Sequence, residues 1–157
     1  MSGPAAEKWA GPIYLDASAV VKLFVPEPDS DDLNEALVGA EDVILSDLAL
    51  TETASALGRR AREGLLASPE STRLHREAAK LAASCRRAEL TPPVHRRAER
   101  LLLTSRETPL RALDALHIAL ALDADAATLV TYDPRLRAAA VMHGLFVAPE
   151  SPQEPPP

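Results

Sequence analysis

Cysteine is nearly absent from the 157 residues: Cys85 stands alone, so no internal disulfide can form. With no His/Asn constellation around it, it reads as a small half-buried residue rather than a nucleophile. Aromatic residues are scarce too, at 3%. That excludes a protein that stacks a single strand on several rings and leaves Leu, Val, Ile and Ala to build the core. The four histidines are scattered and offer no zinc ligand set. No apolar run approaches the ~18 residues that cross a bilayer, so no membrane partner is expected. The opening MSGPAAEKWAGP lacks a charged start and an apolar centre, which is not the pattern of a signal peptide. A cytoplasmic protein is the expectation.

A surplus of positive charge is also missing. The net charge is −6 and the pI about 5.2, the reverse of a passive nucleic-acid binder. A compact group of carboxylates holding divalent cations would invert the local field and remove that objection. Fourteen of the 17 basic residues are Arg. Arg59, Arg60 and Arg62, Arg86 and Arg87, and Arg96, Arg97 and Arg100 form local groups. They read as solvated helix faces or as contacts to phosphate or an acidic partner. The remaining balance, 46% hydrophobic and 25% charged, is that of one globular domain with one core.

Three segments divide the chain. Residues 1–12, with Gly3, Pro4, Gly11 and Pro12, read as a flexible leader. Residues 148–157 end in prolines that lack donors, and read as a disordered tail. Between them, 13–147 alternate short apolar runs with helical stretches. Strands are expected at 13–15, 43–45, 89–91, 128–131 and 146–147. Helices are expected at 17–25, 29–40, 47–63, 69–87, 93–105, 110–123 and 134–143. Gly64 gives the third helix its stop, and Pro69 and Pro134 open later ones. This alternation indicates an α/β domain, with a mostly parallel sheet of four or five strands between helices.

Four acids stand out within that frame. Asp16 follows Ile13-Tyr14-Leu15, and Asp133 follows the 128–131 run. Ligands of open parallel sheets bind outside the carboxyl ends of strands. Either acid could equally be the N-cap of the helix that follows it. Asp114 lies in a helix, LRALDALHIALALD, that is apolar all round and therefore buried. A buried acid there is costly unless paired or metal-bound. Arg111 is one candidate partner, and the helix dipole is another source of stabilisation. Glu52 points away from the apolar stripe of Leu50, Ala54, Leu57 and Ala61. From its own helix it reads as solvated or paired with Arg59. His117, one turn beyond Asp114, reads as a packed helix histidine.

The fragments IYLDASAVVKLF, LALTETASAL, LRALDALHIALAL and LVTYDPRL, in this order, resemble the PIN-domain ribonucleases. They look especially like the VapC-type toxins of type II toxin–antitoxin pairs, from about Ile13 to Val147. The resemblance implies a PIN-like three-layer α/β/α domain. It also brings Glu52 together with Asp16, Asp114 and Asp133 as the catalytic, metal-holding set, with the hydroxyls of Ser18 and Thr131 in support. It implies a cognate antitoxin laid over the acidic groove, a homodimer or toxin–antitoxin hetero-oligomer using the 29–64 helices, and an RNA substrate.

Oxygen-only ligands suit Mg²⁺, with Mn²⁺ as the other candidate. Asp16 and Asp114 are expected as direct ligands, and Asp133 and Glu52 at a second ion or through water. The family implies a metal-dependent endoribonuclease that leaves a 5′ phosphate and a free 3′ hydroxyl. Two alternatives stand beside it. One is a catalytically weak interaction module on the same fold. The other is a Mg-dependent phosphatase, whose motif would need an aspartate where Ser18 stands.

Overall fold

The structure is a computed structural model and describes residues 8–107 and 109–150. Its five strands are β1 (Ile13–Leu15), β2 (Val43–Ser46), β3 (Arg86–Ala88), β4 (Thr128–Val130) and β5 (Phe146–Ala148). Its seven helices are α1 (Ala17–Phe24), α2 (Ser30–Leu37), α3 (Asp47–Arg62), α4 (Ser68–Ser84), α5 (Pro92–Thr104), α6 (Ala112–Asp123) and α7 (Pro134–Met142). The strands pair in the order β3-β2-β1-β4-β5, all parallel. The sheet is thus wholly parallel, one step beyond the expected mostly parallel one.

Side chains alternate across a strand, and here they sort the helices into two layers. Ile13, Leu15, Leu45 and Val130 pack with residues of α1 to α4. Tyr14, Ile44 and Leu129 face α5, α6 and α7. Tyr14 is therefore the central strand's only residue on the α6 side, with 0% exposure. A parallel sheet covered on both faces needs apolar strands throughout, which IYL, VIL and TLV supply.

Local signals set the helix ends. Asp16, Ser46, Thr91 and Asp133 each cap a helix through a side-chain oxygen. Gly64 takes a φ of 74° just past α3, and Leu65 N–H closes the turn on the Arg60 carbonyl at 2.9 Å. That left-handed position is one glycine adopts without a Cβ penalty.

Two expectations need correction. The third strand is Arg86–Ala88, not 89–91, because α4 stops at Ser84 and Cys85 is extended. As an edge strand it pairs only with β2 and tolerates two arginines. Arg86 lies across Asp42 at 2.9 Å and the Ala124 carbonyl at 3.0 Å. The second helix ends at Leu37 rather than 40, before Gly39 at φ 76°. At the termini, the Pro12 carbonyl accepts from Ala127 and Thr128, and Ala148 belongs to β5. Residues 1–7 of the expected leader and 151–157 of the expected tail lie outside the described residues.

Candidate active site

The strand order itself points to one place. From β1 the chain runs to β2 and β3 on one side, then crosses to β4 and β5 on the other. The reversal falls between β1 and β4, and crevices open at such switch points, outside the strands' carboxyl ends. Asp16 follows β1 and Asp133 lies three residues after β4.

Asp16 is 3% exposed and enclosed by donors. Oδ1 accepts the Ala19 N–H at 2.9 Å and Oδ2 the Thr131 hydroxyl at 2.6 Å. The Ser18 hydroxyl lies within 2.7 and 2.9 Å of the two oxygens. The two hydroxyls also accept from the next turn: Ser18 from Tyr132 N–H at 2.8 Å, and Thr131 from Asp133 N–H at 3.0 Å. Asp16 therefore caps α1 and, through Ser18 and Thr131, ties the end of β1 to the turn after β4. Burial pushes its carboxyl above the ordinary range, opposed by the nearby His117 and by these hydrogen bonds.

Asp133 is exposed and caps α7, accepting from Arg135 N–H at 2.8 Å. The capping readings of Asp16 and Asp133 are thus real. Arg137 of α7 donates to the Thr131 carbonyl at 2.8 Å. Burial lowers its guanidinium, while Tyr132 and Asp16 oppose that shift.

Asp114 is 8% exposed in the first turn of α6. No salt bridge among the described residues reaches it. Burial raises its carboxyl, and the negative charge of Asp133 raises it further. The Arg111 backbone, His117 and the Arg111 charge pull the other way. The expected Arg111 partnership is therefore a weak backbone and field effect rather than an ion pair.

Glu52 departs most from its reading. It is half-buried, and its partner is not Arg59 but Nε2 of His117 on α6. His117, in turn, is more than a packed helix residue. Its Nδ1 meets the Tyr14 hydroxyl at 2.7 Å, and that hydroxyl meets Ser46 Oγ at 2.9 Å. Sequence reasoning missed this role because the partners lie 65 and 103 residues away. The signal available was a histidine inside an otherwise apolar helix.

The structure links the four acids unequally. The His117 imidazole contacts Glu52 and lies near enough to bias both Asp16 and Asp114. The charge of Asp133 is felt by Asp114. The donor chemistry suits a hard divalent cation, and a buried Asp114 without a cationic partner is the feature a metal would satisfy. Among the described residues, however, no three His, Cys, Asp or Glu side chains already stand in a closed metal-holding group. A 560 Å³ cavity lined by Leu23, Phe24, Leu37, Val43, Leu81 and others contains none of the four acids.

Comparison with known proteins identifies the family and the fold. Residues 13–142 match the PIN domain family model. Ribonuclease VapC46 of Mycobacterium tuberculosis is 35% identical over 143 residues, covering 86% of this chain and 95% of the relative. Ribonuclease VapC45 of the same species is 35% identical over 139 residues, covering 87% and 94%. Among solved structures, Mycobacterium tuberculosis VapC20, a Sarcin-Ricin loop cleaving toxin, superposes with a TM-score of 0.65 at 20% identity, covering 81% of this chain and 94% of that one. FitAB bound to an IR36 DNA fragment gives 0.66 at 20% identity, covering 86% and 92%. From the family match and the near full-length relatives, the chain belongs to the PIN-domain family, as a VapC-like ribonuclease.

Proposed function

We propose that the chain is a toxin-type endoribonuclease that uses Mg²⁺, with Mn²⁺ as a substitute, held by Asp16, Asp114, Asp133 and Glu52. The observation that carries this reading is Asp114: a carboxylate buried in an apolar helix, beside a second acid and without an ion-pair partner. Natural cores avoid that cost unless the charge has a use. A bound divalent cation supplies charge neutralisation at the phosphate and a water of lowered pKa.

The chain's own residues supply the rest. Ser18 and Thr131 hold both oxygens of Asp16, so its carboxylate is fixed before substrate arrives. Preorganised groups spend no free energy on reorientation during the reaction. Asp133, fixed by its own cap to α7, adds its charge near Asp114 from the β4 side of the switch point. The products are a 5′ phosphate and a free 3′ hydroxyl. RNA is the substrate and an antitoxin the inhibitory partner, with a homodimer or hetero-oligomer as the assembly. Other members of the fold were solved as toxin–antitoxin complexes on DNA, among them VapBC2 of Rickettsia felis. A cytoplasmic location accords with an RNA substrate, and no described helix is long and apolar enough to cross a membrane.

The test is cleavage of RNA with Mg²⁺ or Mn²⁺, with and without EDTA, by the wild type, Asp16→Asn and Asp114→Asn. Cleavage should require the metal and fall by about 10² or more in both variants, the loss of several kcal/mol of charge stabilisation. Equal cleavage by all three proteins, or 2′,3′-cyclic phosphate ends, would refute it. Metal-independent RNA binding without cleavage would favour the interaction-module reading, for which the absence of a closed ligand group is the supporting observation.

A further inference from the structure

Buried polar side chains cost free energy unless each finds a partner. Ser46 and Tyr14 have 0% exposure and His117 has 3%. Aliphatic and aromatic residues would fill the same space at lower cost, yet these three, with Glu52, join four elements in one line. The line runs from Ser46 at the end of β2 to Tyr14 on β1, His117 on α6 and Glu52 on α3. For the neutral His117 ring, donor and acceptor counting gives the line its direction. A carboxylate only accepts, so His117 Nε2 carries the hydrogen toward Glu52. In the neutral ring Nδ1 then accepts from the Tyr14 hydroxyl, which burial keeps protonated. Tyr14 oxygen is left to accept from Ser46, whose own oxygen accepts the Ala49 N–H at 3.0 Å. Every hydrogen has an acceptor, and the series ends on Glu52.

Glu52 needs such a restraint. Its side chain is 27% exposed, and its i±3 and i±4 neighbours are Ala49, Ser55, Leu48 and Ala56, none of them a cation. A glutamate with free rotamers loses freedom when it is fixed. We propose that Tyr14 and His117 are positioning residues that hold the Glu52 carboxylate in the acid group, with Oε2 taken by His117 and Oε1 left for a cation or its water. This rests on reading the acid group as the metal-holding site. Partners that orient metal-binding carboxylates are typically worth 10–100-fold in affinity or activity.

The experiment pairs Mn²⁺ titration calorimetry with RNA cleavage kinetics. It uses the wild type, Glu52→Gln, His117→Ala, His117→Gln, Tyr14→Phe and the His117→Ala/Glu52→Gln double variant, each checked for folding by circular dichroism. His117→Ala should weaken Mn²⁺ about 10–100-fold and lower kcat with little change in KM for RNA. His117→Gln keeps an N–H donor and should recover part of both losses, which a purely structural role would not require. Tyr14→Phe should fall between the wild type and His117→Ala. The double variant should be no worse than Glu52→Gln, because the two residues act as one unit. If His117→Ala does not fold, His117→Gln and Tyr14→Phe carry the test. Mn²⁺ affinity and kcat within about twofold of wild type in the folded variants would overturn the inference, as would losses that multiply in the double variant. A wild type that neither binds Mn²⁺ nor cuts RNA would instead sink the reading of the site, and this inference with it.

Discussion

The two sides of the acid group are built on different terms. On the strand side, Asp16 and Asp133 cap helices and accept backbone N–H groups. On the helix side, Asp114 is held at the first turn of α6 only by the Arg111 backbone, and Glu52 by one imidazole of the facing layer. An acid that closes a turn helps the fold whatever the protein does. An acid buried in an apolar helix layer costs free energy that a first-turn contact offsets only in part. Structural use is thus strong on one side and slight on the other.

The sharpest way to break this contrast is to remove one acid from each side and measure stability in EDTA. Asp16→Ala strips α1 of its cap and leaves the Ser18 and Thr131 hydroxyls and the Ala19 N–H facing an apolar methyl group. A lost cap costs about 1 kcal/mol, and stranded buried donors about 1–3 kcal/mol more. Removing a desolvated charge offsets part of this, leaving a net loss of about 2 kcal/mol in urea unfolding. Glu52→Ala removes no cap but strands one donor, His117 Nε2, which the partly open site lets water reach in part, so it should cost about 1 kcal/mol. Equal losses would show that the two sides are not built differently.

A smaller effect sharpens the comparison from the helix side. Asp114 has a folded pKa raised above its ordinary value, first by burial and then by Asp133. The folded state therefore holds its proton to higher pH than the unfolded chain does. Its contribution to stability is full below the unfolded value and is lost as pH rises through the folded one. Without metal, Asp114→Asn should remove part of the wild type's loss of stability between about pH 4 and neutrality. The same variant should show less thermal stabilisation by Mn²⁺ at neutral pH, since a ligand stabilises only in proportion to its binding. Parallel pH profiles for the two proteins would refute this account of Asp114.

The same contrast governs what could be read from the sequence. Asp16 and Asp133 were legible because a short apolar run followed by an acid is a local signal, and the parallel α/β pattern says where such ends meet. Asp114 was legible because the helix around it has no polar face. Glu52 was not, because its meaning lies in His117, a helix in the opposite layer and 65 residues away. Tyr14 looked like one more strand residue, since nothing local distinguishes a buried phenol with a partner from a buried ring without one. The error at β3 has a related cause. Arg86-Arg87 looks like a helix end by composition, and only pairing with β2 makes it a strand.

Asp133 gives the finest test, because its two uses can be separated by one atom group. Serine caps a helix about as well as aspartate, whereas alanine costs about 1 kcal/mol. Asp133→Ser should therefore unfold within a few tenths of a kcal/mol of the wild type, and Asp133→Ala about 1 kcal/mol earlier. Both lose the carboxylate, so both should lose RNA cleavage to a similar extent if the acid serves the chemistry. Cleavage that survives in Asp133→Ser and fails in Asp133→Ala would make Asp133 a cap and nothing more. The serine variant also removes the negative charge beside Asp114, so the Asp114 carboxyl should move back toward its ordinary value. The stability lost to that group between acid and neutral pH should then shrink, and a cap without a charge at the site would produce no such change.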